Sequence, residues 1–242
     1  MACQKNTMKK LSQSILLFSL IILSSCKSTN YKYFAPTGNP VLFNDKGEVH
    51  VSAEVSSSGF TSKAAVSLTE HFGIMGMYNA GGMNNYRSHE GEVAAGYFTK
   101  NLYISGGMGF GSNFAYTDTT HVAKRYEGSF RRPFVQLNAG VSGGEIIGGI
   151  KGDLVFCLKN SYLFYDGNHL NTTKDRIHSE YFVVEPGFLL GLGSRSFRFD
   201  FLLGFPIHFT DNPLTPYSNA RTYPLNVGFC ILFVLGRKNN VI

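Results

Sequence analysis

From residue 47 onward, apolar and polar residues alternate one by one along most of the chain. In the clearest run, Phe197, Phe199, Phe201, Leu203, Phe205, Ile207 and Phe209 take the odd positions. Arg198, Asp200, Leu202, Gly204, Pro206 and His208 take the even ones. A period of two predicts a β-strand, because successive side chains of a strand point to opposite faces. Seven large apolar side chains on one face need a large apolar partner, either a second sheet or lipid. The pattern recurs where Val49, Val51, Ala53 and Val55 oppose His50, Ser52 and Glu54, and again around residues 60–68, 90–97, 102–110, 132–141, 150–158, 181–190 and 225–233. Residues 72–79 are a tenth candidate strand whose facing the pattern leaves open.

Connection lengths alternate as well. Outer loops are expected near residues 56–59, 80–88, 112–127, 159–177 and 210–221, and short inner turns near 69–71, 99–100, 142–144 and 192–195. Long loops at one end, short turns at the other and an even number of ten-residue strands describe a transmembrane barrel. The expected fold is therefore all-β, an antiparallel up-and-down transmembrane β-barrel over residues 47–236. It has ten strands, or eight if residues 47–69 stay out of the wall, and a tail at 237–242. The rival is a soluble β-sandwich or lipocalin-like barrel, in which the apolar face turns inward. The polar face favours the membrane barrel: it is rich in Gly, Ser and Tyr and poor in Lys, unlike a solvated surface.

Composition agrees. The 242 residues are 43% hydrophobic and only 16% charged, against about 25% charge in an average chain, with 27 glycines. Disorder and coiled coils are excluded. Of 22 basic residues three precede Cys26, leaving 19 against 16 acidic, a net +3 that is too mild for a nucleic-acid partner.

The N-terminus reads as an address. Lys5, Lys9 and Lys10 precede the apolar stretch Ile15–Leu23, which is too short for a membrane helix. Leu23-Ser24-Ser25-Cys26 follows and resembles a bacterial lipobox. Residues 1–25 are thus expected to be a signal peptide, and Cys26 the lipidated residue that opens a periplasmic tether over 26–46. Within that tether, Val41-Leu42-Phe43 has the character of a docking segment. At the other end, Asn226, Gly228, Ile231 and Phe233 resemble the C-terminal assembly signal of barrel proteins. Together the lipobox, the tether and the Gly-rich alternating strands resemble small outer-membrane β-barrel proteins of diderm bacteria. The resemblance implies an outer-membrane location with the lipid anchor on the periplasmic side. It implies membrane lipids and the barrel assembly machinery as partners, alongside an envelope or extracellular ligand that no motif identifies.

Candidate chemistry follows from the faces. The lumen is expected to hold Glu54, Glu90, Glu92, Asp153, Glu185 and Asp200 against Lys63, Arg132, Lys151 and Arg198. Mixed signs suit a salt-bridged plug, because buried charges must be paired. A selectivity ring of one sign is absent. His50 and His208 fall at opposite rims, too far apart for one acid–base site, so no catalytic residue is assigned. No metal-ligand spacing and no cofactor motif occurs. Cys157 and Cys230 read as small packed residues. In the outer loops, Tyr116, Arg125, Tyr162, Tyr165 and Arg176 are candidate recognition residues. The expected role is structural and interactive. The alternatives are a narrow pore for small solutes and an outer-membrane hydrolase or acyltransferase.

Overall fold

The computed structural model describes residues 38–83, 86–119, 122–147, 150–169, 176–194, 196–209, 221–222 and 225–236. The chain divides into Met1–Asn30 and Tyr31–Ile242, and every described residue lies in the second unit. Cys26, the signal segment and the tail at 237–242 lie outside the described residues.

Described strands are β1 (Val49–Ser56), β2 (Gly59–Ser67), β3 (Phe72–Met83), β4 (Tyr86–Thr99), β5 (Leu102–Thr119), β6 (Val122–Ile147), β7 (Ile150–His169), β8 (Arg176–Gly193), β9 (Phe197–Gly204), β10 (Ile207–Phe209), β11 (Arg221–Thr222) and β12 (Asn226–Leu235). Each pairs antiparallel with the next from β1 to β9. Strand β12 pairs with both β9 and β1, which closes the sheet into a barrel. Strand β10 continues the stave of β9 past Phe205-Pro206, and β11 shares the stave of β12, so the wall has ten staves. Residues 47–69 contribute two of them, which settles the choice between eight and ten.

Side chains face as the alternation requires. Val51, Val55, Val93, Val135, Leu154, Phe199, Phe229, Ile231 and Phe233 are exposed on the outside. Between them His50, Ser52, Glu54, Lys63, Glu92, Arg132, Gln136 and Asp200 are buried inside. The undecided third strand turns Met75, Met77 and Asn79 inward and Ile74 and Tyr78 outward. An apolar exterior around a polar interior inverts a soluble barrel, and lipid is the medium that satisfies it. Closure pairs the backbone of every stave and leaves no sheet edge in the hydrocarbon.

Two expectations are corrected. First, most of the residues expected in long outer loops are strand: β5, β6, β7 and β8 run 18, 26, 20 and 18 residues, against the 9–11 needed to cross a bilayer. Tyr116 and Arg125 are backbone partners across β5 and β6, and Tyr162 and Tyr165 lie within β7. Second, the inner turn expected at 142–144 is a register shift between Val141 and Gly144, after which β6 continues to Ile147. Glycines there permit the bulge that mimics a turn in the sequence.

Candidate functional site

A girdle of ion pairs crosses the lumen. Arg132 of β6 is fully buried, at 0% exposure. Its Nε and Nη2 donate to Glu90 Oε1 at 3.1 and 2.8 Å, and its other donors reach Glu92, Glu185 and Ser161 Oγ, the last at 3.3 Å. Lys159 of β7 pairs with the same Glu92 and lies 4.2 Å over the Phe134 ring. Four staves thus meet on one guanidinium, whose planar fork of five donors suits several carboxylates at once.

Elsewhere in the lumen, Lys63 pairs with Glu54 at 2.5 Å and Arg198 pairs with Asp153. Asp200 Oδ1 is buried with no hydrogen-bond partner among the described residues. It borders a cavity of about 30 Å³, enough for a bridging water. Gly228 leaves room for the Glu54 carboxylate, which a Cβ there would meet.

A second closure was expected to be tether. Residues 38–44 lie inside the barrel. Gln136 and Asn138 donate their side-chain amides to Asn39 O at 2.6 and 3.1 Å, Asn138 donates to Val41 O at 2.9 Å, and Lys63 donates to Gly38 O at 3.0 Å. Phe43, 0% exposed, packs against His50, Phe98 and Tyr103 with ring centroids 5.1–5.5 Å apart. Gly73 makes this possible, since a Cβ there would strike the Phe43 ring. The barrel unit therefore includes part of the segment assigned to 26–46. Glu48 anchors its exit: its Oε2 accepts from the Asn44 amide at 2.7 Å, and its Oε1 lies 3.1 Å from His50 Nε2.

Above the apolar belt, staves β4–β8 continue as a sheet whose outer face is polar. Cross-strand register aligns it in rows: Gly91, Phe110, Arg131, Phe164 and Glu180; then His89, Ser112, Ser129, Asp166 and His178; then Arg87, Phe114, Glu127, Asn168 and Arg176. Phe130, Leu163, Tyr165 and Val183 form an apolar cluster on the inner face. The Tyr165 ring lies flat because Gly128 and Gly167 have no Cβ to obstruct it. Tyr165 is therefore buried within the wall, whereas Tyr162 faces outward and donates to Glu180 Oε2 at 2.6 Å. Arg176 is exposed, 3.7 Å from Asp166.

His178 lies beyond the belt with Nδ1 3.0 Å from Asp166 and Nε2 3.4 Å from Glu180. The hydrogen bond to Asp166, then that to Glu180, raises it above the ordinary 6.5. The same hydrogen bond lowers Asp166, while Tyr162 and then His178 lower Glu180. A raised folded-state value means that the contact is complete below pH 6.5 and is lost as pH rises through that raised value. In an Asp166→Asn variant, NMR titration of His178 is expected to shift down toward the ordinary value. An unmoved titration would contradict the pairing.

No protein-family model and no curated protein sequence matches the chain. Among solved structures it is similar to one described as "KdgM porin in complex with disordered oligogalacturonate", with 10% identity and a TM-score of 0.31, over 77% of this chain and 98% of that one.

The lumen residues singled out from sequence all face inward, and those that form ion pairs do so in three separate groups rather than one. Arg132 and Glu185 join the girdle, Lys63 pairs with Glu54, and Arg198 pairs with Asp153. Lys151 is half-buried near the inner end, opposite Glu145. Lys159, Gln136, Asn138 and Glu48 are buried in the interior as well. Lys159 stands at the start of an expected loop, where the alternation assigns no face. Asn226 is buried and its Oδ1 accepts from Ser57 Oγ at 2.7 Å, while Ile231 and Phe233 face lipid. Cys157 and Cys230 are free, buried thiols. The His208 side chain lies outside the described residues.

Proposed function

We propose that the protein is an outer-membrane barrel, anchored by a lipid on Cys26, whose lumen does not conduct and whose function is interaction through the sheet raised above the membrane. One observation carries the reading. The lumen is filled at two levels, by the Arg132 girdle and by the Phe43 segment, each with a fully buried side chain at its centre. Small barrels have interiors that side chains fill, and a network with every member paired is rigid rather than open. Mixed charge supports a plug over a selectivity ring. The outer part of β4–β8 remains accessible, where β6 runs on beyond the hydrocarbon from Arg131 to Val122.

Planar-bilayer recording of refolded protein tests this. The expected result is a silent bilayer at both polarities. Regular unitary current steps would overturn the reading in favour of a pore for small solutes.

A further inference from the structure

We propose that the outer face of β4–β8 binds the phosphorylated sugar head group of a glycolipid in the surrounding leaflet. The inference deepens the interaction role and rests on the barrel spanning an outer membrane. Three observations converge on it.

The first is position. Below the rows, the same staves present Val93, Met108, Pro133, Phe182 and Phe188 to lipid tails. Arg131 marks the transition, held between Phe110 and Phe164 in its row with its guanidinium carbon 5.1 Å from the Phe164 ring centre. A long basic side chain with an apolar footing lies where hydrocarbon gives way to head groups. Lipids whose tails cover the belt necessarily place their head groups against the rows above it.

The second is shape. Over those rows the outer face forms an open hollow of about 900 Å³. The wall of a simple barrel is convex on its outside, so a hollow on β4–β8 departs from that shape. Its size lies within the range of about 300–1,000 Å³ typical of small-molecule sites, and exceeds what a bare phosphate fills.

The third is chemistry. Arg87 and Arg176 stand at opposite ends of one row, four staves apart, and guanidinium forks suit phosphate oxygens. Between them Glu127, Asn168 and Ser129 offer acceptors and donors for hydroxyls, and Phe114 offers a flat apolar face. Acidic groups in the hollow disfavour an isolated anion and favour a hydroxyl-rich molecule with phosphates at its ends. Among the described residues Arg176 makes an exposed 3.7 Å contact to Asp166, worth little in water, which a ligand phosphate can replace.

Native mass spectrometry of the full chain released from phosphatidylcholine nanodiscs tests the proposal. The nanodiscs are doped with a bis-phosphorylated disaccharide lipid, with its dephosphorylated form, or with phosphatidylglycerol. Wild type is expected to retain the phosphorylated glycolipid, and an Arg87→Ser/Arg176→Ser variant to retain it about tenfold less, a loss of about 1.4 kcal/mol. Both substitutions are on exposed side chains, so the heat-dependent gel shift of the folded barrel is expected to persist. Equal retention by the two proteins, or equal retention of phosphatidylglycerol, with the gel shift intact would overturn this proposal alone. Equally tight binding of the soluble phosphorylated disaccharide, without acyl chains, would overturn the lipid assignment in favour of a free glycan. A wild-type chain with no gel shift would overturn the barrel reading as well.

Discussion

Replacing Arg132 by Met is expected to destabilise the folded barrel by about 3–5 kcal/mol, the usual cost of removing one partner from a buried ionic group. Met matches the apolar stem and leaves no large void, so the effect isolates the charge. Three carboxylates, Glu90, Glu92 and Glu185, meet the guanidinium, and without it Lys159 alone faces them through Glu92. Desolvated carboxylates without a counter-charge must take up protons or water, and both oppose closure of the wall around them. The measurement is the urea midpoint of the refolded protein, followed by the heat-dependent gel shift. Adding Glu90→Gln and Glu185→Gln to Arg132→Met is expected to recover much of the loss, because amides do not need a cation. If Arg132→Met alone unfolds at the wild-type midpoint, the girdle is not what holds the interior.

The Phe43→Ala variant ranks second, with an expected loss of about 3–5 kcal/mol, as for large aromatic truncations in packed interiors. The ring is fully buried against His50, Phe98 and Tyr103, and Gly73 leaves it no competing neighbour. Without the ring, residues 38–44 keep their amide hydrogen bonds to Gln136 and Asn138 but lose their apolar anchor. Limited proteolysis is expected to cut this segment in Phe43→Ala and to spare it in the wild type. Bilayers containing the variant are expected to stay silent, since the girdle above remains intact. Equal protease resistance in both proteins would contradict the anchoring role.

The contrast between lipid and lumen made most of the wall legible. Where a stave crosses hydrocarbon, one face must be apolar, and Val49 to Val55 or Phe197 to Phe201 display that alternation without interruption. Above the belt the constraint lapses. On β7 the outer face passes from Leu154 and Phe156 to Asn160 and Asp166, while the inner face gains Leu163 and Tyr165. Apolar residues change sides, the period of two blurs, and strand reads as loop. The tall sheet is therefore not legible in the sequence, nor is the inward placement of Tyr165. Acidic and basic lumen residues could be assigned to a face from their parity, but not to partners, because pairing depends on stagger between staves. Gln136 and Asn138 looked like ordinary polar-face residues. Their partners are backbone carbonyls of a segment with no alternation of its own, which only Val41-Leu42-Phe43 hinted at.

Gel migration of the membrane fraction, with and without boiling in detergent, tests the central claim most directly. A closed wall that pairs its own backbone resists detergent until heated. The expected result is a compact, fast-migrating form before boiling and a slower, unfolded form after it. A single band at the same position in both lanes, together with release of the protein into the soluble fraction when Cys26 is replaced by Ala, would contradict the account. The apolar face would then be a core, and every residue assigned to the lumen would face water.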